Sequence, residues 1–296
     1  FGYTLISSIA KTISDDYICF QVIYAACTVV LLHFIIKELG LKYNERCLFL
    51  FSFYCYRFLW SFWVTLRQNF ANLFFWLLVI KLYKLYQENQ KRIKKNALLS
   101  RTKFDVLLVL TVGLPVLFHT SAYMNIILVP VLFALRKVKT RYKMTVVPLA
   151  SMALYLFGGK LMGNFIRIAA LIDQRYAGYV NRENSNANVV NYVFRLLFFC
   201  LYCYFFEKND SNLKEFVLDS SIILVLLGSI NSGLMMRCYE LYGIGMYAGM
   251  AYFPRYFKKS SIRLAMIIYI IGMLFIFIRY LIVMDSGAYL PYKFYW

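Results

Sequence analysis

An all-α, polytopic integral membrane protein is the fold class this sequence predicts. Of the 296 residues, 61% are hydrophobic, more apolar surface than a soluble domain of this size has core to bury. Apolar runs of roughly 15 to 23 residues recur along the whole length, about what a helix needs to cross a bilayer. Lysines gather in the short polar segments between those runs, as cytoplasmic loops do. The formal net charge of +19 therefore reads as topology rather than as a nucleic-acid footprint. There is no convincing internal repeat, no low-complexity tract, no Walker loop and no GxGxxG. The repeat-built transporter pattern and a nucleotide site thus lack support.

Ten spans are predicted along one transmembrane domain, residues 1–296. The first, 17–36, is followed by Lys37, Lys42 and Arg46. The second, 47–63, ends in Phe58, Trp60, Phe62 and Trp63, either an interface anchor or a platform for a sugar. The third, 67–85, leads into the most basic segment, Lys81 to Lys103. Spans 104–118 and 121–135 flank His119 and end at the basic group Arg136 to Lys143. Span 144–158 precedes the longest connection, 159–189. Span 190–206 leads to Lys208 and Lys214, spans 217–234 and 240–254 flank Arg237, and span 262–284 follows Arg255 to Arg263.

Alternate segments hold 22 basic residues against eight on the other side. The first set is assigned to the cytoplasm, which places residues 1–17, the 159–189 connection and the C-terminal tail outside. From Asn164 to Tyr176 the residues Phe165, Ile168, Ala169 and Ile172 share one helical face. An amphipathic helix on the outer surface is expected there. The first residue is Phe1, not Met, so a preceding segment is expected. The seven cysteines lie mostly inside apolar runs, including the lone pair Cys200 and Cys203. Packing residues are expected, not a disulfide framework.

The two faces differ in the kind of basic residue. The inner segments hold 15 Lys and seven Arg, the outer ones three Lys and five Arg, and the three bases within spans (Arg57, Arg195 and Arg279) are all arginine. A planar guanidinium grips phosphate oxygens in a fork and stays charged in a poorly solvated site. Interfacial snorkelling is the plainer reading of an outer arginine. Arg67 and Arg237 stand at span ends among polar residues. Gln68, Asn69 and Asn72 follow Arg67, and the two asparagines lie on one helix face, a stripe suited to hydroxyl groups. Arg237 sits in Met236-Arg237-Cys238-Tyr239-Glu240-Leu241-Tyr242, where Glu240 either pairs with it or contacts a ligand. His119, in Phe118-His119-Thr120-Ser121, is the outer of only two histidines. It is either a hydrogen-bonded turn residue or a group that takes a proton from a hydroxyl near neutral pH. His33, near the inner end of its span, has no comparable setting. No His, Cys and carboxylate set has metal-ligand spacing, so no metal and no cofactor is expected.

These stretches resemble the EpsG family, the branch of Wzy-type polysaccharide polymerases found in exopolysaccharide, capsule and O-antigen gene sets. The family pattern is a helix opening with Ile/Leu-Arg-Gln, a span ending Phe-His-Lys/Thr-Ser-Ala, and a basic loop after it. Here these are Leu66-Arg67-Gln68 and Phe118-His119-Thr120-Ser121-Ala122. Gly2-Tyr3, the stretch from Arg237 to Tyr242 and the Pro291-Tyr292 tail also match, so the resemblance covers most of the chain. Asn69 stands where the family often has alanine.

The resemblance implies a GT-C-like membrane glycosyltransferase on the outer face of a bacterial inner membrane. It would move a growing glycan from one undecaprenyl diphosphate to the non-reducing end of another lipid-linked repeat unit. A flippase and a chain-length regulator are the implied protein partners, and nucleic acid is not one. Arg67 and Arg237 would face the diphosphate, with Arg167, Arg175 and Arg279 as weaker contacts. His119 would act as base or orient the acceptor hydroxyl, while Gln68, Asn69, Asn72, Glu240 and Tyr242 would contact substrate. An O-antigen ligase or a sugar acyltransferase would share such arginines or an outer histidine. A lipid-linked sugar transporter or flippase would need polar residues at mid-span and repeat symmetry. The outer position of the Arg and His set favours the enzymes.

Overall fold

The computed structural model describes residues 2–55, 66–91, 97–172, 189–206, 212–230, 233–256, 259–279 and 282. Its regular elements are all helices. They are α1 (Gly2–Ile13), α2 (Tyr17–Leu39), α3 (Tyr43–Phe53), α4 (Leu66–Lys91), α5 (Ala97–Val116), a 3₁₀ turn (Thr120–Met124) and α6 (Asn125–Leu135). Then come α7 (Thr140–Ile172), α8 (Val189–Phe206), α9 (Asn212–Gly228), α10 (Gly233–Glu240), α11 (Ile244–Tyr252), a second 3₁₀ turn (Phe253–Tyr256) and α12 (Lys259–Arg279). Two units form. One comprises Phe1–Gly40 with Arg67–Gly249, and the other Leu41–Leu66 with Met250–Trp296.

The predicted spans 17–36, 67–85, 104–118, 121–135, 190–206 and 262–284 fall on α2, α4, α5, α6, α8 and α12 with shifted ends. Four differences have physical reasons. First, α1 is a helix that span counting does not find. Its 12 residues are too few for a crossing. Second, 144–158 does not end as a short span but belongs to one 33-residue helix, α7. In the fold, Gly158 makes room for Ile230, whose Cγ1 would lie 2.7 Å from a Cβ there. Third, the amphipathic helix expected from Asn164 is therefore the continuation of α7 as far as Ile172, and its remainder lies outside the described residues. Fourth, 217–234 and 240–254 divide into three helices, of which α10 and α11 have eight and nine residues. The second predicted span begins in α3, but its aromatic end and Arg57 lie outside the described residues.

Local chemistry fixes the helix ends. Asp16 caps α2 by accepting from the Ile18 N–H at 2.9 Å. Gly40 ends α2 in the left-handed region, φ 63°, where a side chain would be strained. Among the described residues, α2 and Thr140–Ile168 of α7 are long and apolar enough to cross a membrane by length and composition.

The hub of the first unit is α9. It packs against α6, α7, α8 and α10, and every residue from Phe216 to Val225 is buried. A helix buried all round must satisfy its own polar groups. Asp219 does so in part, through Oδ1 and the Lys143 ammonium of α7, both side chains being almost wholly buried. Ser221 Oγ donates back to the Val217 carbonyl at 2.7 Å. Near this point α11 reaches α9 at its smallest residues. A Cβ on Gly245 would fall 2.6 Å from the Ser221 amide nitrogen, backbone that cannot rotate away. Gly245→Ala should therefore lower the thermal stability of the purified protein, by about 1–3 kcal/mol for an overpacked contact. Helix propensity alone would stabilise it by about 1 kcal/mol, so an unchanged or raised melting temperature would show that the helices separate freely.

In the second unit, Glu45 joins two segments distant in sequence. One carboxylate oxygen accepts from the Lys42 backbone at 2.7 Å, and both oxygens receive the Arg255 guanidinium as a fork.

Candidate active site

The first turn of α4 sends its polar side chains in different directions. Arg67 is exposed, whereas Gln68, Asn69 and Asn72 are buried. The Arg67 guanidinium lies 4.4 Å from the centre of the Tyr3 ring in α1, a cation–π contact that steadies the charge without neutralising it. Gln68 turns inward. Its Nε2 donates to the Arg237 carbonyl at 3.1 Å and to Glu240 Oε2, so one amide ties the start of α4 to the last turn of α10. Asn69 Nδ2 donates to the Tyr24 hydroxyl of α2 at 2.9 Å. The Tyr24 ring meets Phe70 edge-on at 4.5 Å. Asn72 Oδ1 is buried with no hydrogen-bond partner.

The turn after α5 supplies the imidazole. The Pro115 carbonyl accepts from the amides of Phe118 and His119, each at 3.1 Å, and closes the helix. Phe118 then anchors the turn, stacking on Phe74 at 5.0 Å and lying 5.7 Å from Phe70. Gly2 sits against the same ring: a Cβ there would lie 2.8 Å from Phe118, and the Gly2 amide donates to the Leu117 carbonyl at 2.9 Å. This contact accounts for a glycine at position 2. His119 is extended and caps the 3₁₀ turn. Its Nδ1 accepts from the Ser121 amide at 3.1 Å and lies 2.8 Å from the Ser121 hydroxyl. The same turn packs against α10. Below it, the buried Tyr242 hydroxyl donates to Asn125 Oδ1 at 3.4 Å, and Trp76 Nε1 donates to the Leu241 carbonyl at 2.7 Å.

Electrostatics complete the arrangement. Burial, and then the positive charges of Arg237 and Arg67, push the His119 pKa down to about 4. The imidazole is thus neutral at physiological pH, and two guanidinium groups act on it. The site has an outer layer with exposed Arg67, half-buried Arg237 and His119, and an inner layer of buried Gln68, Glu240, Asn69, Asn72 and Tyr242.

Of the sequence-predicted residues, Arg67, Gln68, His119, Arg237 and Glu240 share one neighbourhood. Asn69, Asn72 and Tyr242 lie buried on the same elements. Arg167 is exposed on α7 and makes none of these contacts. Arg279 closes α12 in the second unit, and Arg175 lies outside the described residues. Four partners were not predicted as site residues: Tyr3, Tyr24, Ser121 and Asn125. Asn125 carries a readable signal, a lone amide in an apolar run. Tyr24 does not, being one of 26 tyrosines.

This is a helical membrane protein whose cationic and hydrogen-bonding side chains are gathered by three separate chain segments. The chain belongs to the EpsG family, whose model matches residues 1–294. That is the family of Wzy-type exopolysaccharide polymerases, which makes glycosyltransferase-like polysaccharide polymerisation its class of activity. No curated protein and no solved structure matches the chain.

Proposed function

We propose that the chain polymerises undecaprenyl-diphosphate-linked oligosaccharide repeat units into O-antigen, capsular or exopolysaccharide. In this reading it has a GT-C-like fold with ten spans in the bacterial plasma membrane. Its site faces outward, on the side with fewer lysines. The observation that supports the proposal is that the Arg67 and Arg237 charges act together on His119, while Gln68 ties the start of α4 to the Arg237 carbonyl and to Glu240. A lipid diphosphate leaving group develops negative charge as the glycosidic bond breaks, and preorganised guanidinium groups are suited to stabilise it. Buried amides beside them are suited to sugar hydroxyls. Energy comes from the activated donor, and the transfer needs no metal. A flippase delivers the substrates and a chain-length regulator acts on the product.

Deletion of the gene tests this directly. The expected glycan profile is a single repeat unit on carrier or final acceptor. Long polymer accumulating on the carrier would mean a ligase, and repeat units trapped inside would mean a flippase. Purified protein given lipid-linked repeat units in excess EDTA should still build a ladder. Loss of the ladder restored by a divalent ion would overturn the metal-free mechanism.

A further inference from the structure

The hydrogen bonds around His119 divide acid–base labour within the proposed reaction. A backbone N–H only donates. The Ser121 amide at 3.1 Å therefore requires a bare lone pair on His119 Nδ1. The Ser121 hydroxyl, 2.8 Å from the same nitrogen, can give a second donated bond. A neutral imidazole carries one proton, so it resides on Nε2. Such a nitrogen offers a hydrogen bond and cannot receive a proton. The carboxylate of the neighbourhood is Glu240, buried and held through Oε2 by the Gln68 amide.

We infer that His119 is a neutral Nε2–H donor to the leaving phosphate oxygen, and that Glu240 accepts the proton of the attacking hydroxyl. This rests on the polymerase reading above. The acceptor's hydroxyl oxygen forms the new bond to the donor's anomeric carbon. The bond from that carbon to the phosphate oxygen breaks, and its electron pair leaves with the lipid diphosphate. The hydroxyl proton passes to the Glu240 carboxylate and from there to water. His119 keeps its proton throughout. The Arg67 and Arg237 charges fit this division, since both disfavour a second proton on the ring.

With only two histidines in the chain, the tautomer can be read directly. His33 is exposed, and His33→Gln leaves His119 as the chain's sole imidazole. Long-range ¹⁵N–¹H correlation spectra of ¹⁵N-histidine-labelled H33Q protein in nanodiscs should place the proton on Nε2. A proton on Nδ1, or a doubly protonated ring at neutral pH, would overturn the assignment. Polymerisation by purified variants tests the chemistry. His119→Gln keeps an N–H at the reach of Nε2 and should retain activity about tenfold or more above His119→Ala. Glu240→Gln keeps an oxygen for Gln68 but loses the base, and should fall at least about 100-fold. Equal loss in H119Q and H119A, or near-normal rate in E240Q, refutes the division. If the wild-type protein builds no polymer, the polymerase reading fails, while the tautomer still stands or falls on the spectrum.

Discussion

Arg67→Ala and Arg237→Ala proteins should insert and accumulate normally yet build little polymer. Removing a charged donor from a developing diphosphate costs about 2–4 kcal/mol, roughly 30- to 1000-fold in rate. The two positions should differ in what lysine can rescue. The Arg67 guanidinium lies 4.4 Å from the centre of the Tyr3 ring, so Arg67→Lys alters that contact as well as losing the fork. Arg237 is held in part through its backbone carbonyl, which Gln68 takes at 3.1 Å. A lysine there leaves that backbone tether in place and loses the fork, so its defect should be the smaller. Polymer length and amount from membranes of equal protein content decide the matter. Near-normal polymer from Arg67→Ala would remove Arg67 from the site.

Lys143→Met should cost about 3–5 kcal/mol of stability, the usual effect of leaving one partner of a buried ion pair uncompensated. The pair sits where α7 meets α9, with the two side chains 4% and 0% exposed. Lys143 bonds Oδ1 and Asp219 Oδ2 has no hydrogen-bond partner, so Lys143 is the direct counter-ion of that carboxylate. Lys143→Met with Asp219→Asn removes both charges and should recover much of the loss. Thermal unfolding in one detergent measures all three proteins. A single variant as stable as the parent would mean that Asp219 is already neutral in the fold.

Helices were legible because their signal is local. An apolar run long enough to cross a bilayer announces itself without reference to the rest of the chain. Short helices were not: α1, α10 and α11 fall below the length at which hydropathy speaks, and α7 runs on past its expected end into the segment read as a separate amphipathic helix. Arg67, His119 and Arg237 could be singled out because a charge or imidazole at an apolar span end needs a reason. Their relation to one another could not be read. The Gln68–Glu240 contact joins residues 172 positions apart, and nothing in either stretch names the other. The same limit hid the role of Ser121: that its amide, not only its hydroxyl, addresses the histidine ring depends on the extended backbone at His119.

The order of translation gives the all-buried α9 a further meaning. Gln68 leaves the ribosome 172 residues before its acceptor Glu240, a wait of roughly 10–35 s at about 5–20 residues per second. Lys143 precedes Asp219 by 76 residues. Until α9 is made, the helices destined to surround it have no centre, and until α10 follows, Gln68 at the head of α4 lacks Glu240. Biogenesis therefore completes this neighbourhood late, and a nascent chain released before residue 212 carries Arg67 and His119 without Arg237 and Glu240.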